Sequence, residues 1–210
     1  MVVKAGGPDP NVNGKLKDVI AKAKANNVPN DNIERTIKKA SSADAASLEE
    51  MRYEGYGPGG AAVIVIAATD NSNRTTPEIR SYFSKYKGNL GTTGCVGYLF
   101  EDKGVIIIDA ETADEDQLME DALEAGADDV IPDEGVFDIR TAINAVADVS
   151  EALTKLGYTV VSAQPEYVPS TYTALQGDDI TRMGKMLEMF EDNDDLQAVW
   201  HNWENADDAE

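Results

Sequence analysis

Apolar positions fall in two rhythms along the chain. Behind Asn13, Leu16, Val19, Ile20 and Ala23 recur at helical spacing as far as Ala25, and Asn13 is a residue type suited to capping. Ile33 and Ile37 make a second stripe starting near Asp31, where Asp31 and Glu34 have capping-box spacing and Glu34 and Lys38 form an i,i+4 pair. "NNVPN" separates the two, so the start reads as a lysine-rich helical hairpin after the loop "AGGPDPNV". Residues 41–50 read as a linker or a frayed helix. The rhythm then changes. Ala61–Thr69, "AAVIVIAAT", is apolar and β-branched and predicts a buried strand. Ile79, Tyr82, Phe83 and Tyr86 predict a helix over Thr75–Lys87, with Pro77 tolerated in its first turn.

Val96–Phe100 and Val105–Asp109 predict two strands joined by "EDKG" as a hairpin turn. Leu118, Ala122 and Leu123 predict a helix over Thr112–Ala125, with Gly126 just past its end. Short strands follow at Asp129–Ile131 and Val136–Ile139, then a helix over Thr141–Leu156 ended by Gly157, and a strand at Thr159–Ala163. Pro165 and Pro169 bracket an extended stretch, 167–175. Met183, Met186, Leu187 and Phe190 mark a helix over Asp179–Phe190, and Leu196–His201 a last strand before the acidic tail "ENADDAE". Helices that alternate with strand pairs predict an α+β fold of antiparallel sheets, each backed by helices on one face.

Composition narrows the class. With 42% hydrophobic residues, the chain can bury a core. No apolar run reaches the ~18 residues of a membrane span, the start has no secretory signal, and one cysteine excludes an internal disulfide framework. These point to a soluble, cytoplasmic protein with no membrane partner. The net charge of −21 is uneven. The first 40 residues carry eight basic and four acidic side chains, whereas residues 110–210 carry four basic and 26 acidic, a net −22. A polyanion is therefore expected to meet the first half, leaving the acidic half to solvent or to a protein partner.

"EGYGPGG" (54–60) contains G-x-G-x-x-G, the dinucleotide fingerprint. That motif works only after a strand and at the start of a helix, and here Gly60 leads into a strand. No G-K-[ST] exists, so no nucleotide cofactor is expected. The stretch reads as a tight loop in which Gly55, Gly57, Pro58, Gly59 and Gly60 shape the backbone, with Arg52, Tyr53 and Tyr56 at its lip. Two readings stay open: the tyrosines pack on the domain, or they stack on a base beside a phosphate. "DNSNRT" (70–75) likewise suits a turn and a helix cap, while Arg74, Arg80, Lys85 and Lys87 could make a phosphate-facing edge.

Enzymatic and metal chemistry finds little support. Cys95 and the one histidine, His201, make no nucleophile pair by spacing, and zinc needs three or four such ligands. Cys95 reads as a small core residue and His201 as a structural imidazole. "EDNDD" (191–195) lacks the EF-hand order and could at most draw divalent ions weakly.

At this point several stretches become recognisable. "RYEGYGPGGAAVIVIAATDNSNRTTPEIR" (52–80), "KGNLGTTGCVGYLFEDKG" (87–104), "NVPNDNIERTIKK" (27–39), "EAGADDV" (124–130) and "VWHNWE" (199–204) resemble the YebC/PmpR family over nearly the whole chain. The resemblance implies three domains: a small α-helical N-terminal domain and two ferredoxin-like α+β domains. It places residues 1–50 in the first, 51–109 plus 168–205 in the middle domain, 110–167 as an inserted domain and 206–210 as an acidic tail. Its members are usually labelled transcriptional regulators, a mitochondrial relative is a translational activator, bacterial members have been linked to the ribosome, and none is known as an enzyme. Two departures stand out. The basic segment that normally precedes "GGPDPN" is missing, which removes expected phosphate contacts, and Cys95 stands where serine is usual.

Three functional expectations follow. The first is a non-enzymatic, ribosome-associated translation factor that contacts RNA through Lys15, Lys22, Lys24, Arg35, Lys38 and Lys39 of the helical hairpin and through the 52–60 loop. The second is a DNA-binding transcriptional regulator, the family's usual label, which needs a helix that fits the major groove. The third is a protein-interaction adaptor without nucleic-acid contact.

Overall fold

The protein, a computed structural model, is described over residues 2–25, 28–41 and 48–206. Its start is helical: α1 (Val2–Gly6), α2 (Gly14–Ala25) and α3 (Asn30–Ala40). Asn13 caps α2 as its residue type suggests, accepting from the N–H of Leu16 at 3.2 Å. α3 starts one residue before Asp31, so Asp31 lies inside the first turn rather than at the N-cap position that a capping box needs. The apolar stripes of both helices, Leu16, Ile20, Ile33 and Ile37, line a cavity of about 1010 Å³ with Leu48, just before the sheet, and Ala68 within it.

Two antiparallel four-stranded sheets follow. β1 (Glu49–Tyr56), β2 (Ala62–Thr69), β3 (Asn89–Leu90) and β8 (Leu196–His201) form the first, in the order β3-β1-β2-β8. β4 (Phe100–Asp109), β5 (Asp129–Asp133), β6 (Val136–Ala142) and β7 (Val160–Pro169) form the second, in the order β5-β6-β4-β7. With α5 (Glu115–Ala125) and α6 (Val146–Leu156), the second sheet runs β-α-β-β-α-β, the ferredoxin-like unit. The first sheet reaches an equivalent strand order by another route, because β1, which precedes β2 in the chain, fills the place of a third strand. Its helices are α4 (Ser72–Lys85) and α7 (Asp178–Glu191).

Each sheet buries one face against its helix pair. Val63, Val65, Ala67, Ile79, Phe83, Met183, Met186 and Phe190 fill the first core. Ile106, Ile108, Leu118, Ile139, Val149 and Leu153 fill the second. A third cluster lies on the opposite face of the first sheet, where Ala62 and Ile64 meet Val96 and Phe100, with Tyr167 and Trp200 packed alongside. This cluster joins the two sheets. Asn202, 2% exposed, ties down the returning chain: its side chain accepts from the N–H of Ala62 at 2.7 Å and donates to the carbonyl of Thr171 at 3.1 Å.

Several expected elements are corrected. "EDKG" is not a turn, because 100–109 is one continuous strand. Gly104 is there for clearance: a Cβ would stand 2.5 Å from Thr141 Oγ1 and 2.7 Å from Val146. Residues 97–99 form a 3-10 turn rather than a strand. β4 pairs with β6 and β7 along its length, so 100–109 belongs with the second sheet and not with the middle unit assigned to 51–109. β6 continues to Ala142, and α6 begins only at Val146. α5 starts at Glu115, where Asp114 caps it by accepting from the N–H of Gln117. The expected acidic tail from Asp207 onward lies outside the described residues.

Candidate nucleic-acid interface

The stretch read as a loop at 52–60 is mostly strand. β1 pairs with β2 from Glu49 to Tyr56 and with β3 at Gly55 and Tyr56. The glycines answer to packing. A Cβ on Gly55 would meet the carbonyl oxygen of Asn89 at 2.6 Å, and one on Gly57 would meet Met183 Sδ and Met186 Cε at 2.9 Å. Only Pro58–Gly60 turns, with Gly59 at φ 65, and Leu175 lies beneath it. Three N–H groups of the turn are used internally: Gly57 donates to the Ala61 carbonyl at 2.7 Å, Gly60 to that of Gly57 at 3.2 Å and Ala61 to that of Pro58 at 3.4 Å.

The side chains of β1 alternate between the two faces. Tyr53 is buried in the first core, and its hydroxyl lies 2.8 Å from Thr76 Oγ1. It presents no ring face for a base, which corrects its expected stacking role. Arg52 is likewise engaged within the protein. Its Nε lies 2.9 Å from Glu54 Oε1, and its guanidinium sits 4.5 Å above the Tyr167 ring. Tyr167 meets Trp200 edge to face at 4.9 Å. Arg52 therefore bridges the two sheets.

Glu54 is the residue that sequence reasoning missed. It is 2% exposed, and its Oε2 accepts from the N–H of Val96 at 3.0 Å and of Gly97 at 2.8 Å. Burial pushes its carboxyl up, but the N–H groups of Gly94, Val96 and Gly97 with the Arg52 charge outweigh burial and hold it below the ordinary value. The signal that could have found it is slight: an acid placed between two aromatic residues that alternate toward the core.

Tyr56 stands at the end of β1. Its hydroxyl donates to the carbonyl of Cys95 at 3.3 Å and lies 3.5 Å from the hydroxyl of Tyr98. Cys95 is half-buried in the third cluster, and burial followed by the Glu54 charge pushes its thiol up. Tyr98, not singled out from sequence, is 72% exposed.

The remaining cations divide into two groups. Arg74 contacts Asp195 at 2.8 Å and Asp70 at 3.4 Å, so its charge is met by acids. That pairing makes 70–75 a structural corner: Thr75 Oγ1 donates to Asp195 at 2.6 Å, and Asn71, at the N-cap, makes no capping bond with its side chain. Arg80, Lys85 and Lys87 are exposed and form no ion pair among the described residues. On the helical hairpin, Lys15, Lys24, Arg35 and Lys38 are exposed, and Arg35 donates to Asn32 Oδ1. The side chains of Lys22 and Lys39 lie outside the described residues.

Among the described residues, no group of three or more His, Cys, Asp or Glu could hold a metal ion. His201 is held below its ordinary value by burial, and its Nδ1 accepts from the N–H of Trp203 at 3.3 Å. No helix among the described residues is long and apolar enough to cross a membrane.

A family model described as the second and third domain of TACO1/YebC matches residues 48–203, and one described as the N-terminal domain of the TACO1/YebC protein matches residues 1–43. The chain belongs to the TACO1/YebC family. A relative from Acetivibrio thermocellus, named a probable transcriptional regulatory protein, is 53% identical over 206 residues, covering 97% of this chain and 85% of its own. One from Finegoldia magna with the same name is 47% identical over 207 residues, covering 98% and 86%. The crystal structure of a conserved hypothetical protein from Aquifex aeolicus matches with a TM-score of 0.88 at 43% identity, over 97% of this chain and 85% of that one. Family membership thus agrees with the resemblance drawn from 52–80 and 87–104, and the names of the relatives are those of regulators.

Proposed function

We propose that this chain is a non-enzymatic regulator of gene expression that associates with the ribosome and contacts RNA through α2 and α3. The observation that carries the reading is the separation of charge. Lys15, Lys24, Arg35 and Lys38 are exposed on the two helices, while residues 110–210 carry a net −22. A polyanion is attracted at one end and repelled at the other, which favours docking over wrapping. The regulatory names of the relatives support the broad class.

Duplex DNA is the second reading, and the relatives' names favour it. The exposed face of α3 opposes it, because Asp31 and Glu34 stand among Arg35 and Lys38 where a recognition helix would meet phosphates. Co-sedimentation with ribosomes across a salt series, with a duplex-DNA mobility shift in parallel, decides between them. Ribosome association that weakens steeply with salt and falls further in Lys15→Glu/Lys24→Glu/Lys38→Glu is the expected result. Retention of specific duplex DNA with no ribosome association overturns it.

A further inference from the structure

Between Glu78 and Glu101 the sequence contains no acidic residue, in a chain of net charge −21. The structure gathers this stretch at one edge of the first sheet. α4 ends at Lys85, Lys87 turns at φ 63, and β3 pairs with Gly55 and Tyr56. Residues 91–98 then return, and Tyr98 comes to rest beside Tyr56. Tyr98 is 72% exposed, yet it stands on a fixed base. Gly91 donates to the carbonyl of Glu54, and Val96 and Gly97 donate to the Glu54 carboxylate. A backbone anchored this way reduces the freedom that the residue loses when a planar partner stacks on its ring. Arg80 and Lys85 on α4, and Lys87 beside Gly88, where a Cβ would stand 2.6 Å from the Tyr56 carbonyl oxygen, supply exposed positive charge along this stretch, and none of them pairs with an acid among the described residues.

We propose that this rim, Tyr98 and Tyr56 with Arg80, Lys85 and Lys87, binds single-stranded RNA. An unpaired base stacks on Tyr98, and the adjoining phosphates meet the three cations. Bases within a duplex are not available to such a ring, which selects for an unpaired segment. The rim rests on the RNA reading above and gives it a second contact, in place of the buried Tyr53 and the engaged Arg52.

The test uses the full chain, a fluorescein-labelled oligouridine for anisotropy, and ribosome co-sedimentation. Tyr98→Ala should weaken binding about ten-fold, and Tyr98→Phe, which keeps the ring, should bind within about two-fold of the original. Lys85→Glu/Lys87→Glu should flatten the logarithmic salt slope by about 1.4 or more, from about 0.7 for each cation on a single strand. Thermal midpoints within about 2 °C of the original show that the fold is kept. Original affinity for both probes in Tyr98→Ala and in Lys85→Glu/Lys87→Glu overturns the rim while the RNA reading stands. A Tyr98→Phe as weak as Tyr98→Ala overturns the stacking role, because the hydroxyl would then carry the effect. Failure of the unaltered chain to bind either probe overturns the rim and the RNA reading together.

Discussion

Replacing Glu54 by Gln tests the joint on which the fold and the rim both depend. The carboxylate accepts from two backbone N–H groups, at 3.0 and 2.8 Å, and its other oxygen faces Arg52 at 2.9 Å. A neutral amide keeps the shape and one oxygen. Hydrogen bonds to a charged acceptor contribute about 1.5–3 kcal/mol and neutral ones about 0.5–1.5. The two N–H bonds therefore lose about 2–3 kcal/mol in all. The Arg52 side chain is 31% exposed, so its ion pair adds only about 0.5–1 kcal/mol. The sum is about 3 kcal/mol, or a fall in Tm of about 6–12 °C for a chain of this size. Trp200 and Trp203 both lie on or just after β8, so their fluorescence during urea unfolding reports the first sheet. The pH dependence has a definite sign. A carboxyl held below its ordinary value contributes stability that is present above about 4.3, the unfolded glutamate value, and lost as pH falls through the folded value. The gap between the original chain and Glu54→Gln should stay level from pH 7 to about 5 and close below about 4. A gap under about 0.5 kcal/mol at pH 7, or one that widens in acid, refutes the assignment of Glu54 as a paired, ionised anchor.

Five further substitutions probe other joints. Asp195→Asn, at the corner where Arg74, Thr75 and Thr69 converge, should cost about 1–2 kcal/mol in urea unfolding, and Arg74→Ala in the same background should add little. Gly55→Ala should destabilise more than Gly57→Ala by about 1 kcal/mol or more, since the first meets a backbone oxygen and the second two flexible methionine ends. The Tyr158 hydroxyl, 2.6 Å from Asp121 Oδ2, is pushed up to about 12 by burial and by Asp121. Ultraviolet difference titration should show one tyrosine ionising there, and Asp121→Asn should bring it down.

Periodicity exposed every helix with an apolar stripe and the β-branched strand β2, because their burial follows from their own residues. β1 stayed hidden for the opposite reason. "RYEGYG" carries a cation, an acid and two glycines, which read as a loop when the only partner in view is water. Glu54 can be buried because Val96 and Gly97, some forty positions later, bring N–H donors to it. Gly55 is required because β3 and Phe83 approach its backbone. Gly104 misled in the same way, as a turn signal that serves clearance under Thr141 and Val146. The candidate site suffered with the strand: Arg52 and Tyr53 have the residue types of an RNA contact, but Tyr53 is buried beside Thr76 and the Arg52 guanidinium is already engaged by Glu54 and Tyr167.

That displacement places the presumed recognition chemistry one layer down. Arg52 holds Glu54 on one side and Tyr167 of the second sheet on the other. Glu54 in turn fixes the residues that lead from the rim into β4. The strand after Tyr98 therefore leaves the first sheet at a point set by a charged group, and a pure apolar contact could not set it so sharply, since hydrogen bonds to a carboxylate are directional and dispersion is not. A buried acid is costly on its own, but here three N–H groups and a guanidinium offset the cost and specify where the chain crosses. The same carboxylate that aligns the two sheets thus holds Tyr98 outward, and the exposed ring is a consequence of how the units are joined.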